Sequence, residues 1–186
     1  MSARRIRRPK VPTTSLLSTG VVDETAVFSD PACCDILIRA MESCQKRYGF
    51  DVLAFAILPE HFQWIVHLGR GRATVSDVMR DLKNLSAREI MAYLGKEHSY
   101  GALTVFARNA RRLLDQRRRF WRPHFEETVI GDLETLRERI KAVLDEPVRR
   151  GLAAQASDYH YCSAGGHLGE KPTLAVTPLS ELEWIA

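Results

Sequence analysis

The chain has 186 residues, 45% of them hydrophobic and 27% charged, which is enough to bury a core as one domain with tails and ordinary for a soluble globular protein. No uninterrupted apolar run follows the basic opening "MSARRIRRPKVPTTSLL", so neither a signal peptide nor a membrane span is expected, and the expected location is the cytoplasm. The excess of 27 Lys and Arg over 23 Asp and Glu is small but concentrated. Arg4, Arg5, Arg7, Arg8 and Lys10 crowd the start, while Arg108, Arg111, Arg112, Arg117, Arg118, Arg119 and Arg122 crowd one short segment; each cluster is either a solvated charged face or a surface for a polyanion such as nucleic acid.

In chain order, residues 1–24 read as a basic arm followed by a possible first strand, in "TTSLLSTGVV" or in "ETAVF". A helix is expected from Pro31, capped by Asp30 and stopped by Gly49, with apolar residues at 33, 37, 40, 41, 44 and 48. "DVLAFAIL" is an almost continuously apolar strand, and Pro59-Glu60 turns it into a second strand over residues 61–68. The spacing of 78, 79, 82, 85, 90 and 94 predicts a helix from about Ser76 to Leu94, with Gly95 as its stop. After a region that is hard to read, "RRFWRPHFEETVI" looks extended. Asp132 then caps a third helix with Leu133, Leu136, Ile140, Val143 and Leu144 toward the core, ended by Pro147. Residues 166–186 are expected to form a loosely held tail. Cys33, Cys34, Cys44 and Cys162 have no CxxC spacing and are expected as buried, reduced thiols.

The order strand, helix, strand, strand, helix, strand predicts an α+β fold: a ferredoxin-like split βαβ antiparallel sheet with helices on one face and an added C-terminal helix. The architecture decides no function by itself.

The stretch "AILPEHFQWIVHL" places His61, Gln63 and His67 on one strand face, opposite Phe62, Trp64, Val66 and Leu68. Positions two apart lie roughly 7 Å from each other, so His61 and Gln63 can share an ion; His67 is roughly 20 Å from His61 and cannot, which makes it an edge or surface residue. On spacing alone, the pair is either a ligand pair or the solvated side of a sheet.

"LPEHFQWIV" resembles the "MPNHxHxLV" signature of the HUH single-strand DNA transposases, and in particular of the REP-associated tyrosine transposase family of bacteria. Further blocks resemble that family in the same order: "VSDVMRDLKNLSAREI" its second helix, "RRFWRPHFEETVIGDLETL" the segment after it, "DEPVRRGLA" its "NPV" motif, and "SDYHYCSA" its closing aromatic motif. The likeness spans about residues 25–165.

The resemblance implies metal-dependent nicking and rejoining of hairpin-bearing single strands: a Mg²⁺ or Mn²⁺ ion held against the scissile phosphate, and a tyrosine attacking phosphorus. Residue by residue, His61 matches the first motif histidine, Gln63 replaces the second, and Glu146 replaces the asparagine expected as third ligand. Gln and Glu both offer oxygen to a hard cation, so a weakened site of His61, Gln63 and Glu146 is expected. The position of the nucleophilic tyrosine is Ala142, which has no hydroxyl; Tyr159 and Tyr161 match aromatic positions expected to pack. The expected DNA contacts are Arg70, Arg72, Lys83, Arg88, Arg117, Arg118, Arg119, Trp121 and Arg122, with the Trp121 ring either stacking on bases or packing in the core, the latter favoured. The leading expectation is thus a nucleoid-associated, monomeric or homodimeric DNA-binding protein whose transposition chemistry is impaired. The alternatives are an active divergent endonuclease and a domesticated protein-interaction domain.

Overall fold

The computed structural model describes residues 12–69, 73–97, 101–106, 120–167 and 173–182. The basic arm through Lys10, and Arg70, Arg72, Arg108, Arg111, Arg112, Arg117, Arg118 and Arg119, lie outside the described residues.

Strand β1 (Thr13–Gly20) settles the choice between the two candidate first strands in favour of "TTSLLSTG". Helix α1 (Pro31–Tyr48) follows and has both expected ends. Asp30 accepts from the Ala32 amide, Pro31 opens the first turn, and Gly49 closes the helix in the left-handed region at φ 63°. Strands β2 (Asp51–Leu58) and β3 (His61–Leu68) form the expected hairpin over Pro59-Glu60. Helix α2 (Val75–Lys96) starts one residue earlier than its apolar spacing predicts, because Thr74 and Asp77 form a reciprocal capping box. It also runs through Gly95: Leu94 is still buried, and packing there outweighs the poor helix propensity of glycine. Residues 101–106 are helical, and Phe106 is fully buried. Strand β4 (Glu126–Ile130) and helix α3 (Leu133–Arg149) complete the frame, followed by one short helical turn, α4 (Ala164–His167).

The sheet order is β2-β3-β1-β4 and every neighbouring pair is antiparallel. With α1 and α2 as the two crossovers, this is the ferredoxin-like split βαβ arrangement expected from the element order. Helices α1 and α2 bury one sheet face around Trp64, Phe55, Phe62, Leu17, Leu37 and Met79. Helix α3 covers part of the other face, with Leu136, Ile140 and Val143 against Leu53, Ala54, Ala56 and Ile65. A bulge between Val52 and Ala54 turns Leu53 and Ala54 both toward α3. Strand β2 is therefore buried on both faces, which is why it reads as an unbroken apolar run.

Three expectations are corrected. Pro147 does not end α3; the helix continues to Arg149 with Pro147 buried in its last turns, since a proline there forfeits a single intrahelical bond while its ring packs on the core. Residues 173–182 are not loose: Leu174 is buried in the main core, and Thr177 donates its amide to the Val52 carbonyl and its hydroxyl to Asp51 Oδ1, both along the outer edge of β2. The same edge is closed by residues 161–163, where Ile57 donates its amide to the Tyr161 carbonyl, and Phe55 donates its amide to Ser163 Oγ and accepts from the Ser163 amide. His67 sits on a central strand rather than an edge, and its Nδ1 lies 2.8 Å from the Thr14 hydroxyl.

The cysteines are free and buried as expected, and burial pushes the Cys33 and Cys34 thiols up to about 12. Among the described residues, no helix is long and apolar enough to cross a membrane.

Leu174→Ala is expected to destabilise the fold by about 2–4 kcal/mol, as for other leucines emptied from a core, and urea denaturation measures it. A loosely held tail predicts a change under about 0.5 kcal/mol.

Candidate nucleic-acid site

The Pro59-Glu60 turn is itself anchored, because the Glu60 carbonyl accepts from the Val21 amide at 2.8 Å and the Pro59 carbonyl from the Phe28 amide at 2.9 Å. This fixes Glu60 and His61 beside the end of β1, where Gly20 pairs with His61 in the sheet register. A cleft of about 430 Å³ opens there, lined by residues that include Gly20, Glu24, Glu60, His61, Arg122, His124 and Arg150. Gly20 gives the cleft a bare floor. A Cβ at that position would lie in contact with Arg122 Nε and with the Glu60 carbonyl oxygen, each at 3.4 Å, so the Arg122 guanidinium lies directly over the strand end. On the rim, Asp23 and Glu24 both have φ 51°, a conformation costly for residues with a Cβ, and Glu24 accepts from Arg122 Nη2 at 3.0 Å.

His61 is mostly buried, and its two nitrogens face different partners. Nδ1 lies 3.1 Å from Glu60 Oε1, and Nε2 lies 3.4 Å from the Gln63 amide nitrogen. With Nδ1–H donating to the carboxylate, Nε2 carries the lone pair, so the carboxylate fixes which nitrogen can act as acceptor or ligand. Burial pushes the imidazole below its ordinary 6.5, opposed by the hydrogen bond and charge of Glu60 and by the charge of Glu146, with Arg150 adding to the depression. Burial also pushes the Glu60 carboxyl up, but the hydrogen bonds and charges of Arg150 and His61 outweigh it and hold the group below the ordinary carboxylate range.

Glu146 comes to this end of the molecule on α3. Its carboxylate is engaged by two arginines of its own helix: Oε2 by Arg149 Nη2, and Oε1 by Arg150 Nε at 3.2 Å. Arg150 Nη1 donates in addition to Glu60 Oε1, tying the last turn of α3 to the β2–β3 turn. The chain of contacts therefore runs Arg149, Glu146, Arg150, Glu60, His61, Gln63.

A resident divalent cation does not fit this arrangement. His61 and Gln63 are adjacent on one face as their spacing predicts, but Glu146 is already paired with two guanidinium groups. Among the described residues, no group of three His, Cys, Asp or Glu is placed to hold a metal ion. Ala142 lies one turn before Glu146 on the same flank of α3, half-exposed. Neither alternative tyrosine hydroxyl points at His61: Tyr159 Oη donates to the Ile57 carbonyl at 2.9 Å, and Tyr161 Oη to Asp35 and the Pro31 carbonyl. Burial pushes the Tyr159 phenol up to about 12, where it is a poor nucleophile.

Of the described residues expected to touch DNA, Arg122 alone lines the cleft. Arg88 is exposed on α2 beside Glu89. Lys83 donates to the Arg122 and Pro123 carbonyls, so it braces the segment that carries Arg122. Trp121 is a core residue: it is 4% exposed, packs edge-to-face on Phe62, and donates Nε1 to the buried Ser86 hydroxyl at 3.1 Å. Phe120 is buried beside it. Sequence reasoning missed Glu60 and Arg150 as site residues. The i,i+4 pair of Glu146 and Arg150 is visible in the sequence; the pairing of Arg150 with Glu60, 90 positions away, is not.

Among solved structures, a REP-associated tyrosine transposase bound to a REP hairpin shares this fold: over 100% of this chain and 99% of that one, the two match with a TM-score of 0.65 and 21% sequence identity. A protein of Deinococcus radiodurans described as a candidate transposase matches over 78% of this chain and 95% of its own, with a TM-score of 0.45 and 16% identity. No protein-family model and no curated protein matches the sequence.

The titration of His61 gives a testable consequence. The unfolded imidazole takes up its proton near 6.5 and the folded one only at lower pH, so the stability contributed by neutral His61 is complete above pH 6.5 and declines as pH falls below it. Glu60, held below its ordinary 4.5, adds a loss that begins only below that value. Thermal melts of the wild type and of His61→Asn are expected to show a shallower decline for the variant between pH 6.5 and about 5.

Proposed function

We propose that this chain is a REP-associated transposase-like protein that binds hairpin-bearing single-stranded DNA and does not form the covalent tyrosine–phosphate link of its relatives. The observation that carries the reading is the shared fold over the whole length of both chains, together with a cleft that joins His61 of the motif strand to Arg122 and Arg150. Arginine forks match phosphate oxygens in pairs, and Arg122 and Arg150 are each about half-exposed toward the cleft. Arg70, Arg72, Arg117, Arg118 and Arg119 are further candidate phosphate contacts in this reading, and Arg88 adds a backbone contact on α2. The DNA-rich bacterial cytoplasm is where such a protein works.

Loss of chemistry follows from Ala142. A side chain ending in a methyl group offers no oxygen to phosphorus, and neither Tyr159 nor Tyr161 is aimed to replace it. An active metal-dependent endonuclease on His61, Gln63 and Glu146 is the weaker reading, because Glu146 is committed to Arg149 and Arg150. The exposed arginines in the cleft disfavour a pure protein-interaction domain.

Gel shifts and denaturing gels with one labelled hairpin-bearing single strand test this reading. The expected result is a shifted band, weaker with unstructured strand or duplex, that contains no protein–DNA adduct and no cut product when Mn²⁺ is added. Binding is expected to weaken steeply with salt, with a log–log slope of roughly −4 to −5 for about six neutralised phosphates. An adduct from the wild-type chain would overturn the claim of lost chemistry, and absence of any shift would overturn the claim of DNA binding.

A further inference from the structure

We propose that Arg150 supplies the positive charge that a divalent cation would otherwise supply in this cleft, so that a DNA phosphate is received there by guanidinium groups and without a metal ion. The inference rests on the DNA-binding reading above and adds the chemistry by which the cleft holds its ligand.

Four observations converge on it. Glu146 is engaged at both oxygens by guanidinium groups, so a cation seeking that carboxylate must displace Arg149 and Arg150. Arg150 uses Nε and Nη1 to grip Glu146 and Glu60, and among the described residues Nη2 has no partner, although the side chain is 40% exposed and lines the cleft. A planar guanidinium held at two points keeps its remaining N–H groups in a fixed fork, the geometry that meets two oxygens of one phosphate. Arg122 faces the same cleft across the bare floor of Gly20; its partner Glu24 is 76% exposed, and such a solvent-exposed pair is weak enough for a phosphate to displace. Finally, with Nδ1 turned to Glu60, His61 leaves a single nitrogen, Nε2, facing Gln63, so one imidazole and one neutral amide are all that β3 offers a cation once Glu146 is paired. The cleft thus sets two guanidinium groups among the carboxylates of Glu24, Glu60 and Glu126, and a phosphate is received through the N–H groups that Arg122 and Arg150 present there rather than through an excess of charge.

Fluorescence anisotropy with a labelled hairpin-bearing single strand, at constant KCl and in either EDTA or Mn²⁺, tests the proposal on the full chain. The wild type is expected to bind equally in both buffers. Arg150→Met is expected to weaken binding about tenfold or more, and Arg150→Lys to recover part of the loss, since a charged hydrogen-bond pair is replaced by a point charge. In electron paramagnetic resonance of the DNA-free protein, wild type is expected to leave added Mn²⁺ free, whereas Gln63→His/Arg149→Ala/Arg150→Ala, which frees both oxygens of Glu146, binds it. Tighter DNA binding in Mn²⁺ than in EDTA, Mn²⁺ captured by the wild type, or unchanged affinity of a folded Arg150→Met each overturns the inference while leaving DNA binding intact. Should Arg150→Met fail to fold, as judged by circular dichroism, Arg150→Lys and the EDTA comparison still decide. No binding of the hairpin in either buffer sinks the DNA-binding reading and takes this inference with it.

Discussion

The pairing of β1 with β3 is the constraint on which the rest depends. It makes the first strand a central one, bonded to β3 on one side and β4 on the other, although its sequence "TTSLLSTG" carries only a weak strand signal. The register sets Gly20 opposite His61 and Thr14 opposite His67, so the strand's bare end meets the motif histidine and its hydroxyl end meets the other. Everything at the cleft follows from that alignment. Beyond Gly20 the chain pairs Val21 with Trp121, and the Arg122 amide reaches the Gly20 carbonyl at 2.9 Å; this places an arginine from a segment a hundred positions away over the same strand end. A slip of one residue would break the pairing of Gly20 with His61 and turn His61 to the other face.

The ion-pair chain from Arg149 to His61 links the hairpin to α3, but its charges largely cancel and several of its members are partly exposed. Exposed pairs contribute little net stability because Coulomb attraction is screened and side-chain freedom is lost. The network matters more for position. It orients Glu60, which fixes the imidazole tautomer, and it keeps the α3 terminus over the turn. The apolar contacts of Leu136, Ile140 and Val143 hold α3 on the sheet; the charges choose which groups face each other at its end.

Local signals made most of the frame legible. Asp30, Pro31 and Gly49 bracket α1, Asp132 caps α3, and the nearly unbroken apolar run of β2 marks it as a strand. What escaped reading was set by tertiary packing. Gly95 and Pro147 look like stops, yet burial of Leu94 and of Pro147 itself carries each helix past them. Trp121 among arginines reads either as a stacking platform or as core, and Ser86 and Phe62 settle it as core; that Lys83 braces the Arg122 segment is not visible in the sequence. At the cleft, the spacing of His61 and Gln63 was visible, whereas the joining of Glu60 to Arg150 needs the whole sheet between them.

Strand β2 lies at the border of the sheet, and the groups that close its outer edge come from residues 161–163 and 177, as far as 126 positions downstream of their partners on the strand. During synthesis the four strands and three long helices leave the ribosome before that cover exists. The nascent domain therefore passes through a stage with an apolar, unpaired margin, open to another chain's backbone. The closing aromatic segment acts as a seam that finishes the domain, and a chain cut short just after α3 would carry every cleft residue and still tend to aggregate.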